Sequence, residues 1–548
     1  MSMEQYRAAQ KAGKKELQTL AAQKLPTEMP ALDAILEHTD ISGEIPLGLV
    51  DIPTELIVGT KTIGRTSSFA PNFMPILGEN TEFAAKWAAL CDAHLREGIR
   101  DPIVAYEYMN HYYVQEGNKR VSVLKFFDAI SVPGYVTRII PAREDTKESR
   151  LYYEFLEFYN ATSINYLFFS KEGSYLHLAY HLGHRRYERW SMDDRIIFRS
   201  CYNRFADAFK ELGGDHLHMT VGDAMLIYLD LFDYNQLKDE TPSEIKENLK
   251  KMWAEFELKN AQETPSVKFD PSPVQKKNIL TKLLSPSEEE PITRIAFINR
   301  KTPETSSWTY AHELGRLYLK DAFHGTVQTK AYDDISGTDN AITAIEQAIA
   351  DGYEMIFTTS PEFLSASLRA AVHHPEVKIL NCSLNSSHKY IRTYYGRMYE
   401  AKFLIGVLAG IMTDTNKIGY IADYPIYGMT ANINAFALGV KMVNPKAKIY
   451  LEWSTLKENE HVDLTAKLYS MGATYISHQD MIIPRKITRQ FGLFRVNGET
   501  PVNLAFPAWN WGKYYERIIR NVQNGIWNTE EKSDANKALH YWWGMSSN

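Results

Sequence analysis

No stretch of about eighteen consecutive apolar residues occurs anywhere in this 548-residue chain, so no segment reads as a membrane-spanning helix. Cysteine is scarce. Cys91, Cys201 and Cys382 are far apart and odd in number, which fits neither a zinc pattern nor a disulfide framework and suits a reducing compartment. There is no P-loop, no metal-ligand cluster and no nucleophile elbow, so binding is expected rather than catalysis, with no cofactor. Basic residues are not in excess: 61 Lys and Arg against 67 Asp and Glu give a net charge of −6, with no global pull toward nucleic acid. The first 25 residues form an amphipathic, charged stretch with no apolar h-region, no small-residue cleavage site and no nearby cysteine to carry a lipid. A cytoplasmic location without direct membrane insertion is the expectation.

A chain of this length exceeds one hydrophobic core, and 44% hydrophobic with 23% charged residues is ordinary for a globular protein. Residues 1–40 read as a helical segment and 41–143 as a compact α+β unit. In the latter, "TEFAAKWAALCDAHLREG" has helical spacing, and "DPIVAYEYMNHYYVQEG" alternates around a Met109-Asn110 turn. Residues 144–262 carry helical periodicity throughout. Residues 263–292 are dominated by Pro, Ser and charge around one short apolar helix, and read as a linker. From 293 to 548 the pattern becomes strict β/α alternation: "ITRIAFIN", "TVQTKAYDDI", "YEMIFTTS", "PEVKILNCSLN" and "KIGYIADYP" are buried-strand runs separated by helices. That predicts an α/β fold with parallel, doubly wound sheets in two lobes, and a ligand beyond the carboxyl ends of the strands.

One stretch raises a functional question. "AFPAWNWGKYYERIIRNVQNGIW" places Trp509, Trp511, Tyr514 and Tyr515 within seven residues at a helix entry. They cannot all share one helix face. Tyr514 and Tyr515 read as packing residues, whereas Trp509 or Trp511 is a candidate to face a flat ligand.

The run "YEAKFLIGVLAGIMTDTNKIGYIADYPIYGMTANINAFALGVKMVNPKAKIYLEW" resembles the basic-membrane-protein (PnrA-like) family of solute receptors. Its elements occur in order: Glu400, "IGVLAGIMT", "NKIGYIADYP" and "NAFALGVKMVNPKAKI", within about 292–528. The resemblance implies a bilobed, periplasmic-binding-protein-like (type I) fold that takes a purine nucleobase or nucleoside between aromatic rings, and often an ABC permease as partner. Stacking suits a purine, at about 1–3 kcal/mol per ring. By this resemblance the first ligand loop is "PETSSWTY", with Trp308 and Thr309. A second, after "IFTT", brings Thr358, Thr359 and Ser360, and "KILNCS" brings Asn381 where the family often has an aspartate. Trp453 and Asp480, at strand ends, complete the candidates. The family's lysine segment is replaced by "FPAWNWGKYY" and its ribose-binding acid by Asn497 in "RVNGET", which favours a nucleobase such as adenine over a nucleoside. Each aromatic also has a plainer reading as core packing.

In the N-terminal half, "GIRDPIVAY" followed by "EGNKRVSVLKFFDAISVPGYV" resembles the ParB/sulfiredoxin-like domain over about residues 50–142. Gly117 permits a tight turn, the helix after it offers free N–H groups, and Asn118, Lys119 and Arg120 add polarity and charge. The resemblance implies phosphate binding there, as a nucleotide or DNA. The plainer reading has Arg120 capping the turn and pairing with Glu116. "HLGHRRYER" (181–189) could touch nucleic acid, and reads more plainly as a solvated helix face. "TVGDAMLIYLDLFD" could open a helix-turn-helix.

The combined reading is a purine sensor whose C-terminal module closes on its ligand and is coupled to a nucleotide-, DNA- or partner-binding module, in a homo-oligomer. The alternatives are a receptor delivering purine to an ABC permease, and a ParB-like nucleotide hydrolase or phosphotransferase.

Overall fold

A computed structural model of the chain describes residues 2–186, 188–261, 266–269, 292–384, 388–423, 427–456, 459, 461–498, 500–528 and 537–545. The chain forms two compact units, residues 1–206 with 219–226, and residues 207–218 with 227–548. The divide falls inside the stretch expected to be a helical domain, 144–262. The expected linker, 263–292, lies outside the described residues except for 266–269 and 292. No helix among the described residues is long and apolar enough to cross a membrane.

The N-terminal unit opens with α1 (Ser2–Ala22) and α2 (Leu32–Leu36). Its sheet holds β1 (Ile41–Pro53), β2 (Ile57–Thr60), β3 (Ile103–Tyr108), β4 (His111–Glu116) and β5 (Ser131–Pro141) in the order β1-β5-β3-β4-β2. Helices α3 (Glu82–Glu97) and α4 (Asn118–Phe126) alternate with these strands. The β3–β4 hairpin turns through Met109 and Asn110, both at positive φ (49° and 66°), the backbone that lets a two-residue loop follow strand twist. Glu107 fixes that turn. Its carboxylate accepts from the Asn110 N–H (2.7 Å) and the Tyr152 hydroxyl (3.2 Å), and pairs with the buried Arg138 of β5. The edge strand β1 was not anticipated, because glycine and proline interrupt its sequence and the strand is mostly solvent-facing.

Helices α5 (Lys147–Thr162) and α6 (Ser174–His181) follow, then α7 (Met192–Glu211), α8 (Val221–Leu231), α9 (Tyr234–Asp239) and α10 (Pro242–Ala261). The "HLGHRRYER" stretch is not a helix face. Helix α6 stops at His181 and Gly183 turns at φ 78°, so the basic residues lie in a loop.

The C-terminal unit is mixed α/β with two sheets. The first lobe contains β6 (Ser266–Lys268), β7 (Thr293–Ile298), α11 (Ser307–Phe323), β8 (Val327–Tyr332), α12 (Thr338–Ala350), β9 (Met355–Thr358), α13 (Leu364–His373), β10 (Lys378–Cys382) and β11 (Arg392–Gly396). The chain then builds a second lobe from α14 (Met398–Met412), β12 (Lys417–Ala422), α15 (Tyr427–Val443), β13 (Lys448–Trp453), α16 (Leu464–Ser470), β14 (Tyr475–Ser477), β15 (Leu493–Arg495) and β16 (Val502–Ala505). It returns to the first lobe through α17 (Trp511–Gln523) and β17 (Leu539–Trp543). The first sheet has the order β6-β17-β11-β10-β9-β7-β8 and is parallel throughout. The second, β13-β12-β14-β15-β16, is parallel in its first three strands.

In the second lobe α14 and α15 meet at a seam of glycines. A Cβ at Gly406 would collide with the Phe436 carbonyl oxygen, and one at Gly439 with that of Phe403. Gly439→Ala is therefore expected to cost about 2 kcal/mol or more of stability, seen as a lower urea midpoint with an unchanged slope. A neutral result would mean the two helices can part without penalty.

Candidate functional site

The order β8-β7-β9 in the first lobe creates a switch point, and in sheets of this kind the crevice at a switch point lies beyond the carboxyl ends of the strands, here β7 and β9. Trp308 lies in the first turn of α11 above this crevice, where Ser306 caps the helix by accepting from the Thr309 N–H (3.3 Å). The Trp308 indole N–H donates to the Thr359 carbonyl (2.7 Å), which pins the ring across the two strand ends.

Two further rings close on Trp308. Tyr395, at the end of β11, lies nearly parallel to it, with centroids 6.2 Å apart and planes inclined by 26°. Trp509, in the connection returning to the first lobe, meets Trp308 edge-on at 5.3 Å and Tyr395 at 5.7 Å. All three rings are partly exposed. Trp509 packs so closely over Gly396 that a side chain there would collide with its ring.

The other candidates are distributed as follows. Trp511 is buried, stacked between Trp509 (5.0 Å) and His312 (4.8 Å), and Trp308 is edge-on to it, so the ring nearly parallel to Trp308 is Tyr395. Tyr514 and Tyr515 are core residues. Thr309 is buried in the first turn of α11. The Thr359 hydroxyl donates to Asn299 Oδ1 (2.8 Å), and the Asn381 amide donates to Thr358 Oγ1 and to the Ser360 carbonyl (both 2.9 Å). These groups are committed to one another beneath the crevice. Ser360 stays partly exposed, and its hydroxyl accepts from the Glu362 N–H (3.4 Å). Trp453 rests on the second lobe's core, apart from the three rings.

The second lobe faces the crevice with charge. Asp480, in the loop after β14, forms an ion pair with Lys402, which is buried in the first turns of α14. Burial alone would pull the Lys402 ammonium down. The Asp480 carboxylate and the Tyr420 hydroxyl outweigh it and hold the group above its ordinary value. The Ser477 hydroxyl and the His478 carbonyl each lie 3.5 Å from Lys402 Nζ. Asp423, at the end of β12, accepts from the Ser454 hydroxyl (2.7 Å). The Asp480 charge raises the Tyr395 phenol after burial has done so, which places this pair within electrostatic reach of the aromatic wall. The two lobes touch at this point: Met481 packs on the first lobe's core, and the Arg485 N–H donates to the Glu304 carbonyl (3.0 Å). Tyr395 and Lys402 escaped the sequence reading. Lys402 lies inside the apolar run "AKFLIGVLAG", and a lone lysine on such a helix was the available signal.

In the N-terminal unit, Gly117 turns at φ 101° ahead of α4, and a Cβ there would come within 2.7 Å of Ile103. A cavity of about 420 Å³ adjoins it, bounded by Phe69, Phe83, Gly117, Asn118, Lys119 and Arg120. Arg120 Nη1 donates to the Asp101 (2.9 Å) and Pro102 (2.6 Å) carbonyls, so the guanidinium is tied to backbone and not to Glu116. Lys119 Nζ lies over the Phe83 ring at 4.7 Å.

The two sheets and the crevice between them define a substrate-binding type of fold. Residues 292–484 match the family model for the ABC transporter substrate-binding protein PnrA-like (Bmp) family. A purine-binding protein of Brucella abortus is 26% identical over 46% of this chain and 72% of its own length. A candidate ABC transporter glucose-binding protein of Haloferax volcanii is 24% identical over 44% of this chain and 61% of its own length. A solved solute-binding protein from Conexibacter woesei superposes with a TM-score of 0.30 at 16% identity, covering 34% of this chain and 63% of that one.

Removing one partner of the buried pair should be costly. Lys402→Met is expected to destabilise the C-terminal unit by about 3 kcal/mol, more than Lys402→Met with Asp480→Leu together, as read by urea unfolding. Acid should act on the same unit through two buried imidazoles. Burial lowers His312 to about 3 and His540 to about 4, from an ordinary 6.5. The unfolded chain binds protons below pH 6.5 that the folded chain refuses. Stability is therefore complete above 6.5 and falls toward pH 4, by up to about 1.4 kcal/mol per pH unit for each histidine. A His540→Asn variant should show a shallower decline between pH 6.5 and 4. Parallel curves for variant and wild type would remove His540 from the account.

Proposed function

We propose that the C-terminal unit is a receptor that closes on a purine, a nucleobase such as adenine in preference to a nucleoside. The observation carrying this reading is the near-parallel Trp308–Tyr395 pair beside the Lys402–Asp480 pair. A flat ring needs about 3.5 Å on each face, so it enters when this pair opens to about 7 Å. The donor and acceptor of the second lobe then lie where a heterocycle's polar edge would be read. The purine-binding relative supports the class of ligand, and the glucose-binding relative names the competitor to be tested against it. Asn497 in place of an acid supports the base over the nucleoside.

Ligand binding would favour the closed arrangement of the lobes, which gives the unit a signal to transmit. The N-terminal cavity at Gly117–Arg120, with the first turn of α4 and the cations of Lys119 and Arg120 on its boundary, supports a phosphate-bearing partner there, a nucleotide or DNA. The chain then acts as a purine sensor. Delivery of the purine to an ABC permease is the second reading, favoured by the family's description.

Calorimetric titration of the full chain with adenine, hypoxanthine, guanine, adenosine, guanosine and glucose tests the receptor. Micromolar binding of one or more bases is expected, with Trp308→Ala and Tyr395→Ala each weakening it about 5- to 150-fold. Heat from glucose alone would replace the purine with a sugar. Silence for all six would end the receptor reading.

A further inference from the structure

Helix α14 contains ten consecutive residues without charge or strong polarity, "FLIGVLAGIM" (403–412). A helix that is apolar on every side belongs in an interior. Here one side packs on the sheet and another on α15, yet the third faces solvent: Leu404 is 48% exposed, Leu408 40% and Ile411 65%. These residues recur at the i, i+4, i+7 spacing of a single stripe. Helix α15 presents a matching stripe, with Leu438 60% and Met442 62% exposed. The glycine seam holds the two stripes side by side, so they form one rigid face rather than two separate ones. Met412 and Val443 extend it at the helix ends.

The face offers apolar surface on the order of 700 Å², above the few hundred that monomers commonly expose and close to the roughly 800 Å² each partner contributes to a stable complex. Its composition narrows the occupant. Leu, Ile, Met and Val, with Lys441 the sole charge, are what a domain interior cut in half would show, which is the character of homodimer interfaces. Membrane seating would call for interfacial Trp or Tyr beside a basic rim; the stripes carry no Trp or Tyr, and the exposed lysines Lys441, Lys446 and Lys448 gather at one end of α15.

We propose that α14 and α15 form an isologous interface with a second copy of this chain, giving a four-helix contact across a two-fold axis. Because the Leu, Ile, Met and Val side chains of the two stripes are uncharged, the same face on both copies is complementary to itself.

Sedimentation velocity of the full chain at tens of micromolar should give a species of twice 62.8 kDa. Leu408→Glu and Met442→Glu should each raise the dimer dissociation constant at least 100-fold, and their circular dichroism and melting should remain those of a folded protein. Because Cys91, Cys201 and Cys382 are buried, Leu408→Cys and Met442→Cys variants together allow mild oxidation to report a covalent dimer. A monomer at every concentration would overturn the proposal. So would a dimer indifferent to both glutamates, or a wild-type chain that floats with phosphatidylcholine–phosphatidylglycerol vesicles through this face.

Discussion

The docking of α17 onto α11 is the contact on which the crevice depends. Trp511, Tyr514, Tyr515, Ile518 and Ile519 fall on one face of α17 and are all buried. Opposite them, α11 approaches through Gly315, where a side chain would come within 3 Å of Trp511 and Tyr515. The Tyr515 hydroxyl hydrogen-bonds to the buried His312 (2.5 Å). This packing brings the chain back from the second lobe to the first. It thereby fixes Trp509, two residues before the helix, against Trp308 and Tyr395. The exposed rings inherit their positions from the buried ones.

The two walls of the crevice differ in chemistry, and the difference follows from where each lobe places its polar groups. In the first lobe Thr359 is hydrogen-bonded to Asn299, and Thr358 to Asn381, below the strand ends. Their mutual hydrogen bonds stiffen the floor and leave the rings to face outward. In the second lobe a charged pair, Lys402 with Asp480, stands at the equivalent level. A buried ammonium persists there because a carboxylate, a phenol, a hydroxyl and a carbonyl surround it. One wall offers dispersion and the other a directed donor and acceptor, the combination that orients a flat polar molecule.

The β/α alternation from residue 293 was legible because strands buried on both faces read as continuous apolar runs, as in "RIAFI" and "MIFTTS". The helix entry at 505–527 was legible as aromatic, but not as to which rings face out. Trp509 and Trp511 differ by two residues and have opposite fates, because the helix begins between them. Tyr395 escaped notice because "RTYYGRMYE" has two adjacent tyrosines of identical chemistry. Strand alternation buries Tyr394 and leaves Tyr395 at the crevice. Lys402 and Asp480 are 78 residues apart, and only the topology of the second sheet unites them. The strand β17 was also missed, since "LHYWW" shows no alternation until the first lobe's core is there to receive Leu539, Tyr541 and Trp543.

Helix α14 joins these themes, because its three sides answer to three different constraints. Near its start Lys402 points to the crevice and its ion pair. Gly406 and Gly410 admit α15 at backbone distance. Leu404, Leu408 and Ile411 face away from the body of the lobe. A helix pinned by close-packed backbone on one side cannot bend locally, so force applied at either of the other two sides moves it as a rod. Lys402 and Asp480 both belong to the second lobe, so in the proposed closure the pair and the outer stripe would travel together. The same glycine seam thus holds the buried ion pair and the outer face on one closely packed pair of helices.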